Sequence, residues 1–183
     1  DIVQRSYGIW VNQKKPKYSY LFNVPHVNSP MSQDFFRREI GLFKESLERY
    51  GQITITDEQI REATKLLNEN RTMVRELYAL RKQDAPPVSG TEMLKVMTVG
   101  MSVPASEFNS LLKEVLEEVK LRAAASYGRR GPRIMIWGCI IDDVTLLEMI
   151  ENLGANVVTD DTCIGTRCYG ANVRMTDDIA VGL

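Results

Sequence analysis

The sequence has little histidine and little cysteine. One histidine, His26, and three irregularly spaced cysteines, Cys139, Cys163 and Cys168, occur among 183 residues. A single histidine excludes a histidine-rich metal site. An odd number of cysteines without a Cys-x-x-Cys pair argues against a disulfide framework. We therefore expect reduced thiols and a cytoplasmic location.

The sequence also lacks an excess of either charge and lacks long apolar runs. Lysine and arginine total 23, aspartate and glutamate total 24, and the net charge is -1. This balance gives no indication of a nucleic-acid partner or of an anionic membrane surface. No run approaches the roughly 18 apolar residues that a membrane span needs. Residues 1–5 carry charge at Asp1 and Arg5, and no apolar signal segment follows them.

The first 127 residues are predicted to be mostly helical. Residues 18–24 are predicted to form a buried strand that ends at Pro25. Thr56 and Gln59 fit a capping box, which marks the beginning of a long helix. The helices predicted from apolar periodicity and stop signals span residues 32–50, 57 to about 82, 91–99 and a segment from about 104.

The composition changes near residue 128, where glycine, arginine and proline precede an apolar segment. Residues 133–137 and 156–159 are predicted strands, and residues 142–153 form the helix between them, ended by Gly154. A strand–helix–strand order implies a parallel sheet with a right-handed crossover.

These elements predict an α/β fold with parallel, flavodoxin- or Rossmann-like sheets and a long helical connection. We expect residues 1–127 to be the end of an N-terminal α/β domain plus that connection. Residues 128–183 are expected to begin a second α/β domain. Because the chain opens on Asp1 and stops soon after a helix is expected to begin at Thr176, we interpret it as a truncated piece of a longer protein.

The turn after the first of these strands contains Gly138 and Cys139. It lacks the Gly-x-Gly-x-x-Gly pattern of dinucleotide sites. Asp142 or Asp143 suits the N-cap of the next helix, although that helix N-terminus can also attract an anion. Cys139 is interpreted either as inert buried packing or as a residue that lines a site.

The most distinctive segment is the loop that follows the second strand. Asp160, Asp161, Cys163 and Arg167 fall within eight residues. Loops at the carboxyl ends of parallel strands hold the ligand sites of open α/β folds. Arg167 either forms a local salt bridge with the acids or binds a carboxylate, phosphate or thioester oxygen, which its planar guanidinium suits. Acidic neighbours disfavour a nucleophilic thiolate at Cys163, so a ligand to iron or a wall of the site fits it better.

We expect both loops to line one cleft, because the carboxyl ends of neighbouring parallel strands meet at the same edge. The expected cleft comprises Gly138, Cys139, Asp160, Asp161, Cys163 and Arg167. His26 also follows a predicted strand, and is interpreted as a structural histidine or as part of a functional loop.

Several short motifs occur in an order that resembles one known family. They are Asn23-Val24-Pro25-His26, Phe43-Lys44-Glu45-x-Leu47-Glu48, Ile55-Thr56-Asp57-Glu58, Asn68-Glu69-x-Arg71, Glu76-Leu77-Tyr78-x-Leu80-Arg81, Pro86-Pro87-Val88-Ser89-Gly90 and the loop from Asp160 to Arg167. Over nearly the whole chain this order resembles the central part of a subunit of the 2-hydroxyacyl-CoA dehydratases and the related ATP-dependent benzoyl-CoA reductases.

The resemblance implies an oxygen-sensitive iron–sulfur enzyme of two related subunits with a cysteine-bound cluster, usually 4Fe–4S. A separate ATP-dependent activator protein would supply a low-potential electron. The implied reaction is radical removal of water from an (R)-2-hydroxyacyl-CoA to give a 2-enoyl-CoA. The alternatives are reduction of an aromatic acyl-CoA, a non-catalytic cluster-carrying or electron-transfer subunit, and a simple α/β binding domain without a cluster.

The resemblance also implies that most cluster cysteines lie outside these 183 residues. Stable binding of a cluster by cysteine alone takes about three or four converging thiolates, and within this chain only Cys163 is proposed as a metal ligand. We therefore expect the isolated chain to be inactive and to bind no cluster. Its helices before residue 128 are expected to expose apolar surface.

Overall fold

The computed structural model describes residues 2–125, 128 and 130–176. Within this part the chain is rich in helix and has a small two-stranded parallel sheet, which is consistent with an α/β fold. Residues 177–183, which would contain the helix expected to begin at Thr176, lie outside the described residues. In chain order the elements are α1 (Ile2–Lys14), α2 (Pro30–Gly51), α3 (Asp57–Leu80), α4 (Gly90–Gly100), α5 (Ala105–Ala124), β1 (Arg133–Trp137), α6 (Thr145–Asn152), β2 (Asn156–Asp161) and α7 (Thr166–Tyr169).

Contacts between residues group the chain into two units. The described part of unit 1 consists of residues 2–61 and 174–176, and unit 2 consists of residues 62–173. The domain boundary expected near residue 128 concerns the whole protein and stays a prediction.

The prediction of a buried strand at residues 18–24 is wrong. The segment has no regular secondary structure, and Phe22 is 36% exposed. Its aromatic rings pack on α2 instead: the Tyr20 and Phe43 centroids lie 5.1 Å apart, and those of Phe22 and Phe36 lie 5.6 Å apart. Aromatic residues are enriched in strands because they suit a half-buried surface. Here a helix provides that surface, so the same composition does not produce a strand.

The predicted helix over residues 32–50 is confirmed and begins two residues earlier, at Pro30. The Ser29 side chain accepts from the Ser32 backbone N–H at 3.2 Å, and proline suits the first helical position. The helix ends at Gly51, and Gln52 adopts a left-handed conformation with φ 52°.

The capping box at the start of α3 is confirmed. The Thr56 N–H donates to Gln59 Oε1 at 2.8 Å, and the Gln59 N–H donates to Thr56 Oγ1 at 3.3 Å. The prediction of α4 is confirmed to within one residue at each end, and α5 begins one residue after the predicted position. A second capping box, in which Ser89 and Glu92 exchange backbone and side-chain hydrogen bonds at the start of α4, was missed. Helix α1 was not predicted.

The strand–helix–strand unit is confirmed, and β1 and β2 are parallel. Their register places Trp137 opposite Asp161. Helix α6 begins at Thr145, three residues later than expected, and its N-cap is Val144 and not Asp142 or Asp143. The Asp143 side chain accepts from the Thr145 N–H at 2.9 Å. Gly154 follows the helix with φ +98°, a conformation that glycine adopts without steric cost.

Helix α4 contacts both apolar cores of unit 2. The core formed by α3, α4 and α5 includes Val74, Leu77, Met93, Met97, Phe108 and Leu112. The core between α4, α6 and β2 is built on Leu94, Leu147 and Val157. At Gly90 a Cβ atom would lie 2.5 Å from the Cβ of Val157, so glycine permits the close approach of α4 to the sheet.

Glu151 of α6 also forms hydrogen bonds with the beginning of α4. Its carboxylate accepts from the backbone N–H groups of Gly90 and Thr91, at 2.7 and 3.2 Å, and from the Thr91 hydroxyl at 2.7 Å. The first N–H groups of a helix have no partner within the helix. Glu151 supplies that partner from a segment about 60 residues away in the sequence.

Large apolar side chains are exposed on the helices before residue 128, as expected. Trp10 is 46% exposed, Phe35 45% and Leu42 51%. None of the described helices combines the length and the apolar character needed to cross a bilayer.

Candidate functional site

The loops that follow β1 and β2 lie side by side, as their parallel strands predict. The Gly138 N–H donates to the Asp161 carbonyl at 3.3 Å, and the Cys163 N–H donates to the Cys139 carbonyl at 3.4 Å. Both cysteines are exposed. The interpretation of Cys139 as buried packing is therefore wrong, since its strand ends at the open edge of the sheet.

Arg167 forms the local salt bridge that the sequence left as one of two alternatives. Its Nε and Nη2 lie 2.6 and 3.2 Å from the two carboxylate oxygens of Asp161. Arg167 Nη1 lies 3.7 Å from Cys163 Sγ. The hydrogen bond from Arg167 lowers the pKa of Asp161 below its ordinary value. The pair is partly exposed, so an incoming anion can reach Arg167 only in competition with Asp161.

The adjacent carboxylate, Asp160, has different partners. Its Oδ2 accepts from the Tyr78 hydroxyl at 2.5 Å, and its Oδ1 accepts from the Thr166 N–H at 3.1 Å. The Thr166 hydroxyl donates to the Asp160 carbonyl at 2.6 Å. A Cβ atom on Gly165 would overlap Asp160 Oδ1 and lie 2.7 Å from its Cγ. Glycine is therefore required for the loop to fold over this carboxylate.

Arg81 lies just after the end of α3, and its guanidinium group forms an ion pair with the Asp160 carboxylate. Its side chain is 1% exposed, its Nη1 lies 3.8 Å from Asp160 Oδ2, and its Nη2 donates to the Val157 carbonyl. Its guanidinium carbon lies 5.1 Å from the centre of the Tyr78 ring. Burial lowers the pKa of Arg81. Burial and the charge of Asp160 raise the pKa of Tyr78 well above its ordinary value.

Sequence reasoning missed Tyr78 and Arg81 as parts of this arrangement. Both lie in the Glu76-Leu77-Tyr78-x-Leu80-Arg81 motif, but arginine is almost never fully buried unless it is paired. Its partner, Asp160, is 79 residues later in the chain. Only the tertiary structure brings the two together.

The cysteines do not form a complete cluster site by themselves. The Cys168 thiol donates to the Cys163 carbonyl at 2.9 Å. Among the residues that the structure describes, no three or more His, Cys, Asp or Glu side chains converge on a point that could hold a metal ion. A 4Fe–4S cluster takes about three or four thiolates. The described residues therefore fit a chain that supplies a single ligand to a cluster, and not one that supplies the full set.

His26 belongs to unit 1. Its side chain is exposed in the loop before α2, where it lines a shallow surface depression with Val24, Pro25, Val27 and Phe36.

Two loops that meet at one edge of a parallel sheet are typical of the ligand sites of α/β proteins. The chain belongs to the protein family described as 2-hydroxyglutaryl-CoA dehydratase, D-component, whose family model matches residues 1–182.

Two curated relatives are similar over most of this chain. One of the subunits of benzoyl-CoA reductase from Thauera aromatica is 30% identical over 182 residues, which cover 97% of this chain and 46% of the relative. The (R)-phenyllactyl-CoA dehydratase beta subunit of Clostridium sporogenes is 23% identical over 137 residues, which cover 75% of this chain and 36% of the relative. The chain therefore spans less than half the length of these relatives, and both are named as subunits.

Proposed function

We propose that this chain is part of a cytoplasmic subunit of an iron–sulfur 2-hydroxyacyl-CoA dehydratase. The enzyme would remove water from an (R)-2-hydroxyacyl-CoA by a radical route and release a 2-enoyl-CoA. The observation that carries the proposal is the match of the dehydratase family model to residues 1–182. The phenyllactyl-CoA dehydratase relative supports the same reaction class.

The site is proposed to lie at the loops that follow β1 and β2. Cys139 and Cys163 are exposed there, and Arg167 is partly exposed beside Asp161. Substrate-lining roles are assigned to Gly138, Cys139, Asp160, Asp161, Cys163 and Arg167. His26, in the loop before α2, is proposed separately as a site-lining residue within unit 1. Cys163 is also the proposed cluster ligand.

The proposed cofactor is a 4Fe–4S cluster held by the intact enzyme, to which this chain would add one proposed ligand, Cys163. The cluster would supply one-electron chemistry, while the protein supplies binding and electrostatics. The proposed partners are a related second subunit in a heterodimer and an ATP-dependent activator. The relatives' names as subunits support an assembly of several chains.

The two described strands are proposed to belong to a larger flavodoxin- or Rossmann-like sheet. A two-stranded sheet is marginal by itself, and additional strands or helices normally stabilise it. The length of the relatives leaves room for such strands, because the chain covers 46% of one relative and 36% of the other.

The alternative function is that of a benzoyl-CoA reductase subunit, which reduces an aromatic ring. It is favoured by the higher identity, 30%, to a relative of that name. A non-catalytic cluster-carrying subunit is the third candidate, since the reaction could take place in the partner subunit.

One assay separates these functions. The full-length protein with its partner subunit is purified without oxygen and mixed with activator, ATP and either an (R)-2-hydroxyacyl-CoA or benzoyl-CoA. We expect an iron–sulfur absorption band and formation of a 2-enoyl-CoA. Ring reduction of benzoyl-CoA would establish the alternative. A cluster without turnover of either substrate would indicate an electron-transfer role, and an assembly that never binds iron would contradict all three.

A further inference from the structure

The guanidinium group of Arg167 contacts a thiol as well as a carboxylate. Its Nη1 lies 3.7 Å from Cys163 Sγ, which is within the range of a hydrogen bond to sulfur. Its other two nitrogens, Nε and Nη2, donate to the two carboxylate oxygens of Asp161. All three nitrogens of the guanidinium group are therefore engaged within the loop that follows β2 and the first turn of α7.

Asp161 fixes the direction of the contact with sulfur. The guanidinium group is planar and its donors form a rigid fork, so two parallel hydrogen bonds to one carboxylate fix its orientation. Asp161 accepts from Nε and Nη2 at 2.6 and 3.2 Å, and the remaining nitrogen, Nη1, faces Cys163. Arg167 is thus oriented toward the cysteine by the protein itself.

The main chain of Cys163 is held from both sides. Its N–H donates to the Cys139 carbonyl at 3.4 Å, and its carbonyl accepts from the Cys168 thiol at 2.9 Å. Of the three cysteine sulfurs, Cys163 Sγ is the one for which the described residues provide a side-chain N–H donor. Both partners of the contact are therefore fixed, the cysteine through its backbone and the arginine through Asp161.

Such a contact has a defined effect on a cysteine that binds iron. Cysteine binds metals as the thiolate, and a charged acceptor forms a stronger hydrogen bond than a neutral one. Hydrogen bonds to the ligating sulfurs and the net charge are among the factors that set the reduction potential of an iron–sulfur cluster. Because reduction adds one negative charge, a cationic donor at a ligating sulfur stabilises the reduced state more than the oxidised state.

We infer that Arg167, oriented by Asp161, acts on the cluster through Cys163: it donates from Nη1 to the Cys163 sulfur and raises the reduction potential of the cluster. The inference rests on the proposed function, because it requires Cys163 to be a cluster ligand in the intact enzyme. Arg167 is in this respect a positioning residue. Its effect on the potential does not depend on which acyl-CoA is the substrate.

The test measures the midpoint potential of the cluster in the full-length protein with its partner subunit, prepared without oxygen and titrated with reductant under electron paramagnetic resonance. Arg167→Ala should shift the midpoint potential to a more negative value. Lys95→Ala is the matched control, because Lys95 of α4 is also a cation paired with a carboxylate, that of Glu148 at 3.4 Å. It should leave the midpoint potential unchanged.

A second arginine variant covers the case in which Arg167→Ala does not retain the cluster. Arg167→Gln removes the charge but keeps a planar amide, and its midpoint potential should shift in the same direction. A midpoint potential equal to that of the unsubstituted protein in either arginine variant would overturn the inference. A shift of equal size in Lys95→Ala would also overturn it, since the effect would then be one of surface charge in general.

Cys163→Ala separates failure of this inference from failure of the proposed ligand. We expect this variant to lose iron. An assembly that binds no iron, or one that keeps its full iron content in Cys163→Ala, would overturn both the ligand role of Cys163 and the role of Arg167. Loss of iron in Cys163→Ala together with an unchanged potential in Arg167→Ala would overturn the role of Arg167 alone.

Discussion

The two units of the chain stabilise their helices in different ways. Among the described residues of unit 1 only Glu39 is buried, and its carboxylate accepts from the Asn23 backbone and side-chain amides at 3.1 and 3.2 Å. Unit 2 contains two apolar cores with several fully buried side chains. Unit 1 thus relies on partly exposed aromatic packing, and unit 2 relies on burial.

This difference shows why similar sequence patterns have different consequences. Helices α2 and α3 have nearly equal length and both are amphipathic. In α3 the apolar stripe is buried at Val74 and Leu77, while in α2 it remains partly exposed. Burial removes apolar area from water at about 25 cal/mol per Å². The same kind of substitution should therefore cost much more in unit 2.

The largest expected effect is at Leu77. Leu77 is 0% exposed and Leu42 is 51% exposed. Leu77→Ala should lower the free energy of unfolding by about 2–5 kcal/mol, because it leaves a cavity in the core. Leu42→Ala, the matched control in α2, should change it by less than about 0.5 kcal/mol. Chemical denaturation of the full-length protein measures both. Equal losses would mean that Leu42 is covered in the assembly, and would break the contrast between the units.

The next largest effect is expected at Gly165, which is compared with a second glycine of unit 2. Gly165→Ala should destabilise the loop by about 1–3 kcal/mol, because its Cβ overlaps the Asp160 carboxylate. Gly138→Ala is the control, since a Cβ there meets nothing within 4 Å. Thermal unfolding should show a lower Tm for the first variant only. An unchanged Tm for Gly165→Ala would show that the loop can shift away from Asp160 at little cost.

A smaller effect is expected in alkali. The pKa of Tyr78 is raised in the folded protein, by burial and by Asp160, so Tyr78 stays protonated when the unfolded chain ionises. The stabilisation that protonated Tyr78 gives the folded state is fully present below the unfolded pKa of about 10. As the pH rises above that value, the free energy of unfolding falls by about 1.4 kcal/mol per pH unit.

Tyr78→Phe should therefore flatten the alkaline decline of stability, measured by denaturation at a series of pH values above 9. Tyr20→Phe is the comparison in unit 1. The pKa of Tyr20 is also raised, by partial desolvation and by Glu39, but solvent screens this exposed site. Tyr20→Phe should therefore flatten the alkaline decline of stability less than Tyr78→Phe does. A larger effect at Tyr20 would reverse the comparison.

The smallest effect on stability is expected at Arg167. Its pair with Asp161 is partly exposed, and exposed pairs stabilise little. Arg167→Ala should leave Tm nearly unchanged while lowering the proposed acyl-CoA turnover, measured on the full-length protein with its proposed partner subunit. Arg167→Lys should restore that turnover only in part, because lysine lacks the planar fork. A large fall in Tm would indicate a structural role alone.

The same pair should weaken in acid. Because Arg167 lowers the pKa of Asp161, the stabilisation is present above the unfolded pKa of about 4 and is lost as the pH falls through the lower folded value. The free energy of unfolding should therefore fall slightly less steeply with decreasing pH in Arg167→Ala than in the unsubstituted protein. An unchanged acid limb would mean that the pair contributes nothing in solution.

Local signals predicted much of the fold. The capping box at Thr56, the proline before α5 and the strand–helix–strand order before Asp160 depend on nearby residues, and the structure confirms them. The segment at residues 18–24 was predicted incorrectly, because its aromatic composition suits both a strand and the surface of a helix.

The candidate site was predictable only in part. The two loops are adjacent because parallel strands end at the same edge, which follows from β1 and β2 alone. The partners of Asp160 could not be found in this way. Tyr78 and Arg81 are about 80 residues away, and no local periodicity records a contact over that separation.

The hydrogen bonds from α4 to Glu151 also bear on how unit 2 unfolds. The Gly90 and Thr91 amide protons are held by a carboxylate of α6 and not by their own helix. Exchange of these protons with solvent requires that their hydrogen bonds to Glu151 break, and separation of α6 from α4 breaks both. Their exchange rates therefore report the stability of the contact between α4 and α6, in addition to that of α4 itself. If the two cores of unit 2 unfold as one cooperative body, these two amides should exchange as slowly as the amides at the centre of α3.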